Sequence, residues 1–149
     1  MSLTMSFGIG VGMVLAGWIG SRSSRRGLVL LTGTGMSVVA LIALLQLPNE
    51  VGGLLLLAAL GLGLGSSVLA FPIAEEAAPP GQTALTVAIV NTTGTVTGGV
   101  MSIVSGLILE ASGPGDLSPV LVVYGLFGLF GVAVAAWIQF SRSPVQSAA

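Results

Sequence analysis

Side chains able to do acid–base, metal or nucleophile chemistry are scarce here: four arginines, five carboxylates, no lysine, no histidine and no cysteine. The absence of histidine removes the usual general base and metal ligand. The absence of cysteine excludes disulfides, thiolate metal sites and cysteine nucleophiles. No Gly-Lys-Ser or Gly-Lys-Thr loop is present to cradle a nucleotide phosphate, so nothing points to ATP hydrolysis. The expectation is a protein that is not an enzyme and holds no metal and no cofactor. A net charge of -1 gives no electrostatic footprint for nucleic acid.

The uncharged polar side chains are concentrated in one stretch. At helical spacing Asn91, Gly94, Gly98, Ser102 and Ser105 fall on one face, with Thr92, Thr93, Thr95 and Thr97 nearby. Such a face is costly against lipid, so it is expected to turn toward other helices or a water-filled cavity. Two readings stand. The hydroxyls can bond between helices or back to their own helix, or the face can line a cavity. Asn91, a lone amide, is either a helix-to-helix clasp or a substrate contact.

The elements that would position these residues follow from composition. Of the 149 residues, 54% are hydrophobic and only 6% charged, and the mean hydropathy is +1.06. A soluble domain carries roughly a quarter of its residues as charges. Here lipid must cover what charge does not. The Leu, Val and Ile runs between the 23 glycines exclude a disordered low-complexity chain; the glycines instead suit helices packed backbone to backbone in a bilayer.

Polar punctuation cuts the chain into five apolar blocks, at about 3–20, 28–47, 51–74, 84–109 and 119–140. Each is close to the length a helix needs to cross a hydrocarbon core. Breaks fall at the arginine cluster, at Pro48-Asn49-Glu50, at Pro79-Pro80-Gly81-Gln82 and at the Gly113 to Asp116 turn. The runs are continuous rather than alternating, which argues for helices over barrel strands. The expected fold is all-α integral membrane, a single transmembrane region with a short cytoplasmic tail from 141 to 149. The basic cluster follows the first block instead of preceding it, so that block does not read as a cleaved signal peptide.

Arg22, Arg25 and Arg26 follow the first span and Arg142 follows the fifth, so with five spans all four lie on one side. Basic loops stay cytoplasmic. That places the N-terminus outside and the C-terminus inside, in the plasma (inner) membrane of a multi-pass protein. The opposite connections carry Glu50, Glu110 and Asp116 and no basic residue. Small residues recur at helical spacing: Gly8, Gly12, Ala16 and Gly20 in the first span, Gly61 and Gly65 in the third, and Gly125, Gly128 and Gly131 in the fifth. Each set is expected to be a packing seam.

Two places carry a family resemblance. Gly17-Trp18-Ile19-Gly20-Ser21-Arg22-Ser23-Ser24-Arg25-Arg26-Gly27 resembles the cytoplasmic loop signature of major facilitator superfamily transporters, a Gly separated by three residues from Asp-Arg and then Gly-Arg-Arg or Gly-Arg-Lys. Gly17, Arg22, Arg25 and Arg26 match. Ser21 stands where the family has Asp and Ser24 where it has Gly, as in the weaker copy of the signature in the family's second half. The run from Glu75 and Glu76 through Pro79, Gly81, Ala84, Asn91, Gly94 and Gly98 to Gly106-Leu107-Ile108-Leu109-Glu110 is similar to the end of the family's tenth helix, the next loop and the eleventh helix.

On that alignment the spans correspond to helices eight to twelve, with no counterpart here to the seventh helix or the first half. The resemblance implies a partial secondary transporter that moves a small solute by alternating access and is not active alone. Its partners would be the bilayer, a missing N-terminal transporter half or another membrane protein, and a small-molecule substrate. Gly10, Asn91, Gly94 and Gly98 become the positions nearest a cavity. No span holds an ionisable group away from its ends, so any ion-coupling residue must lie elsewhere.

On the inner side the arginines face two readings. They would pair with Glu75 or Glu76 and bias a conformational equilibrium, since exposed pairs are worth about 0 to 1 kcal/mol. Alternatively they set topology and touch anionic headgroups. The rival to the transporter is a small non-transporting protein that docks other helices on its glycine faces, or an inactive gene relic.

Overall fold

A computed structural model describes residues 2–22, 26–46, 50–113 and 116–141. Among these, every regular element is helical: α1 (Ser2–Arg22), α2 (Arg26–Gln46), α3 (Glu50–Gly65), a 3-10 segment (Ser66–Leu69), α4 (Ala70–Ala77), α5 (Thr83–Ser112) and α6 (Ser118–Ser141). The protein is all-α. Among the described residues, five stretches are long and apolar enough to cross a membrane: Leu3–Arg22, Arg26–Gln46, Val51–Ala77, Thr83–Ser112 and Ser118–Phe140. That composition is compatible with a multi-pass membrane protein.

Local chemistry accounts for the helix ends. The 79–82 segment is a tight turn in which the Gln82 N–H donates to the Pro79 carbonyl at 3.0 Å. Pro80 supplies the fixed φ of its second position, and Gly81 the positive φ, +80°, of its third. α5 then starts with the backbone and hydroxyl of Thr86 both donating to the Gln82 carbonyl, each at 3.0 Å. It stops at Gly113, whose φ is +84°. Before α6, the Asp116 carboxylate accepts from the Ser118 N–H at 3.0 Å. Pro119 follows in the first turn, where a missing N–H is harmless.

The chain divides into two compact units, one holding residues up to Leu69 together with those from Gly125, the other running from Ala70 to Tyr124. In the first, α3 packs on both α1 and α2. α1 meets it along a glycine seam: a Cβ built on Gly8 would lie 2.7 Å from the Ala58 carbonyl oxygen, and one on Gly65 would lie 2.6 Å from the Gly12 carbonyl carbon. Only hydrogen fits there. The seam runs on through buried Ala16 to Gly20, where the place of a side chain is taken by Leu69. Gly8, Gly12, Ala16 and Gly20 thus meet Gly61, Gly65 and Leu69, two of the stripes marked by spacing alone.

α3 uses a second small-residue face toward α2. Gly33 lies against Ser66, and Gly63 against Ser37 and the Gly33 carbonyl. Ser37 is buried, with its hydroxyl 3.2 Å from the Gly33 carbonyl of its own helix and 3.4 Å from the Leu60 carbonyl of α3. An adjacent face of α2 receives α6 in antiparallel sense. Gly125 faces Leu41, Gly128 faces Val38 and Gly131 faces Thr34. The buried apolar residues of this unit, Ala16, Val38, Ala40, Leu41, Leu69 and Ala135, are mostly small or lie beside glycines. Close backbone approach, with its dispersion contacts, replaces a large-side-chain core.

The second unit is sparser. α4 packs on α5, Ile73 of α4 is buried, and the Ser105 hydroxyl lies 3.2 Å from the Tyr124 hydroxyl.

Candidate functional site

The residues singled out by chemistry fall at three places, and the structure equips them differently. The first is α5. It has no buried residue along its 30 positions. Leu85, Ile89, Val96, Val100, Ile103 and Leu107 form one exposed apolar arc. The opposite arc holds Asn91, Gly94, Gly98, Ser102 and Ser105. Space beside it is open: a side chain built on Gly94, Gly98, Gly99 or Gly106 would meet nothing within 4 Å.

The hydroxyls on and near that arc are satisfied locally. Thr95 donates to the Asn91 carbonyl at 3.0 Å, Ser102 to the Gly98 carbonyl at 2.9 Å and Ser105 to the Met101 carbonyl at 2.6 Å. These are the back-bonds that Ser and Thr make to the preceding turn. Of the two hydroxyl readings, bonding to their own helix is what these three show, and Ser105 adds the contact with Tyr124. The Asn91 side-chain amide differs. It is exposed and has no hydrogen-bond partner among the described residues. Among the described residues it clasps no neighbouring helix.

The second place is the junction of α1 and α2. Arg22 lies in the last turn of α1 with its guanidinium 4.2 Å from the centre of the Trp18 ring one turn earlier, a cation–π contact. Arg26 opens α2, and its Nε donates to the Gly20 carbonyl at 3.1 Å. A cation there satisfies a carbonyl at the C-terminal end of α1, where the helix dipole is negative. Gly17 has nothing within 4 Å of a built Cβ. Arg25 lies outside the described residues, as do Arg142 and the tail from 142. Glu75 and Glu76 are exposed near the end of α4, in the second unit, and the Glu75 carbonyl accepts the Ala78 N–H at 3.2 Å.

The third place is Gly10. It lies on a side of α1 where a built Cβ meets nothing within 4 Å. Ser6, Phe7, Val11, Val14 and Leu15 surround it in a shallow depression formed by α1 alone. A ligand pocket is a concavity with convergent polar groups. This surface has one hydroxyl and is open, so it holds nothing by itself.

Spacing alone did not mark the second face of α3, Gly63 with Ser66, or its partners Gly33 and Ser37. A signal existed in the small residues four apart, Gly33 and Ser37, and three apart, Gly63 and Ser66. Among the described residues no group of three or more acidic side chains is placed to hold a metal ion. No protein-family model, curated protein or solved structure matches the chain.

Proposed function

We propose that the chain inserts in the plasma membrane through its five apolar helices, with the N-terminus outside, and forms part of a secondary transporter of the major facilitator type. On this reading it moves a small solute by alternating access, with further helices completing the cavity. The observation that carries it is α5. One arc of this membrane-length helix suits lipid, while the other presents Asn91 and a row of small residues with open space beside them. Serine and threonine back-bonds lower the cost of that arc in an apolar solvent. An exposed amide still needs protein or water opposite it. The arginine motif at the α1–α2 junction supports the same reading by resemblance.

The second reading has its own support. Gly94, Gly98 and Ser102 form a small-residue row of the kind that accepts another helix. On that reading the protein is a docking subunit and moves nothing, or is a relic.

Reconstitution separates the two. The purified chain in sealed vesicles is expected to show no saturable solute uptake, and uptake is expected to appear when the helices that complete the bundle are supplied. Saturable uptake by this polypeptide alone overturns the claim that it needs them. A complex that assembles through α5 yet never transports any tested solute favours the docking subunit. Charge reversal bears on the inner-side pair in the assembled transporter: Arg22→Glu and Glu76→Arg are each expected to change the rate, and the double swap to restore it. Single variants with unaltered rates would end the latch idea.

A further inference from the structure

The membrane-length stretch Val51–Ala77 is not one α-helix. It changes to a 3-10 segment at Ser66–Leu69 and resumes as α4 at Ala70. Two residues explain why the break falls here. Pro72 has no N–H, so the carbonyl of Val68 cannot receive the usual bond from four residues on. At the other end the buried Ser66 hydroxyl donates to the Gly63 carbonyl at 2.7 Å, which supplies a donor where α-helical bonding stops.

What lies on either side of the break is unequal. Before it, Gly61, Gly63 and Gly65 are locked against the backbones of α1 and α2. Leu69, 2% exposed, is seated where Gly20 leaves room for it. The fixed part therefore extends through Leu69. The division between the two compact units falls at the next peptide, between Leu69 and Ala70. Short 3-10 stretches within helices often mark hinges, and hinges need only a few residues to absorb a dihedral change.

We infer that Ser66–Pro72 is a hinge within the third membrane-length helix, about which α4 turns relative to α3. The hinge does not depend on the protein being a transporter. Seating of Leu69 and the Ser66 bond define its fixed end, and the missing donor at Pro72 weakens the helix just beyond it.

The chain has no cysteine, so spin labels can be placed at chosen pairs. Leu55→Cys with Ala77→Cys spans the break. Leu55→Cys with Phe140→Cys stays within one unit and serves as the control. In lipid nanodiscs the spanning pair is expected to give a distance distribution about twofold broader than the control, or two resolved distances, as a hinge requires. Adding Pro72→Ala is expected to narrow it to the control width. A spanning pair as narrow as the control, or one unchanged by Pro72→Ala, overturns the inference. Should Pro72→Ala fail to fold, amide exchange on the unaltered chain decides: faster exchange over 69–74 than over 55–62 is expected, and equal protection overturns the hinge.

Discussion

Replacing Gly12 by alanine is expected to loosen the protein, while the same change two residues earlier at Gly10 is not. Both glycines lie in α1, and both variants gain helix propensity of at most about 1 kcal/mol. They differ in what the new methyl meets. At Gly12 it would lie 2.9 Å from both the Cα and the carbonyl carbon of Leu62, and closer still to the Leu62 oxygen. Carbon atoms in favourable contact sit about 3.5–4.0 Å apart. The deficit is at least roughly half an ångström, and it is against backbone, which cannot rotate away.

Relief requires α1 and α3 to separate, and a gap of 0.5–1 Å forfeits about a quarter to a half of each dispersion contact along the seam. Overpacking of this kind costs about 1–3 kcal/mol. Offset by the propensity gain, the net loss for Gly12→Ala is about 0.5–2 kcal/mol, a fall of roughly two- to thirtyfold in the folding equilibrium. Gly10→Ala meets nothing within 4 Å, so it is expected to be neutral or stabilising by up to about 1 kcal/mol. Reversible unfolding in mixed detergent micelles, followed by helicity and repeated by steric trapping in bicelles, measures both. Equal effects of the two substitutions, or a Gly12→Ala variant as stable as the parent, would refute the backbone-contact seam.

Ser37→Ala removes the hydroxyl shared between the Gly33 and Leu60 carbonyls. A loss of about 0.6 kcal/mol is expected, typical of a hydrogen bond between membrane helices; Ser37→Val should cost more, because Gly63 packs against this position. The same unfolding assay checks both. Asn91→Ala is expected to change the stability of the chain by less than about 0.5 kcal/mol, since its amide has no partner among the described residues. On the proposed transporter reading, that substitution is expected to lower uptake. A stability loss well above 1 kcal/mol would make Asn91 an internal clasp instead.

How far the fold is legible in the residues depends on which interaction sets each feature. Glycine stripes in α1, α3 and α6 are visible because close backbone approach demands Gly at a spacing of three or four, and few other causes produce it. The turn at Pro79-Pro80-Gly81 is visible because two prolines and a glycine admit few conformations. The break at Ser66–Leu69 is not, because the stretch Val51–Ala77 keeps a high mean hydropathy of 2.2 throughout. Pro72 is a weak signal there, since prolines are tolerated in membrane helices in several ways, of which a local 3-10 adjustment is only one. The Gly33–Ser37 face was hidden by Thr32, Thr34 and Gly35 around it, which make all sides of that part of α2 look alike.

The polar arc of α5 was legible as an arc because its residues share one helical face. What it faces was not legible, for hydroxyls that bond their own helix read the same beside lipid, protein or water. Gly10 is marked by the family resemblance alone, and the open surface around it offers a ligand a single hydroxyl, that of Ser6.

Topology mapping tests the central claim, five spans with the N-terminus outside, most directly, because the parent chain has no cysteine and each introduced thiol is unique. In intact cells a membrane-impermeant maleimide is expected to label Asn49→Cys and Leu117→Cys, in the connections after the second and fourth spans. Ser24→Cys and Ala78→Cys are expected to react only after the membrane is opened. The opposite pattern, or any two adjacent connections labelled from the same side, contradicts the five-span orientation.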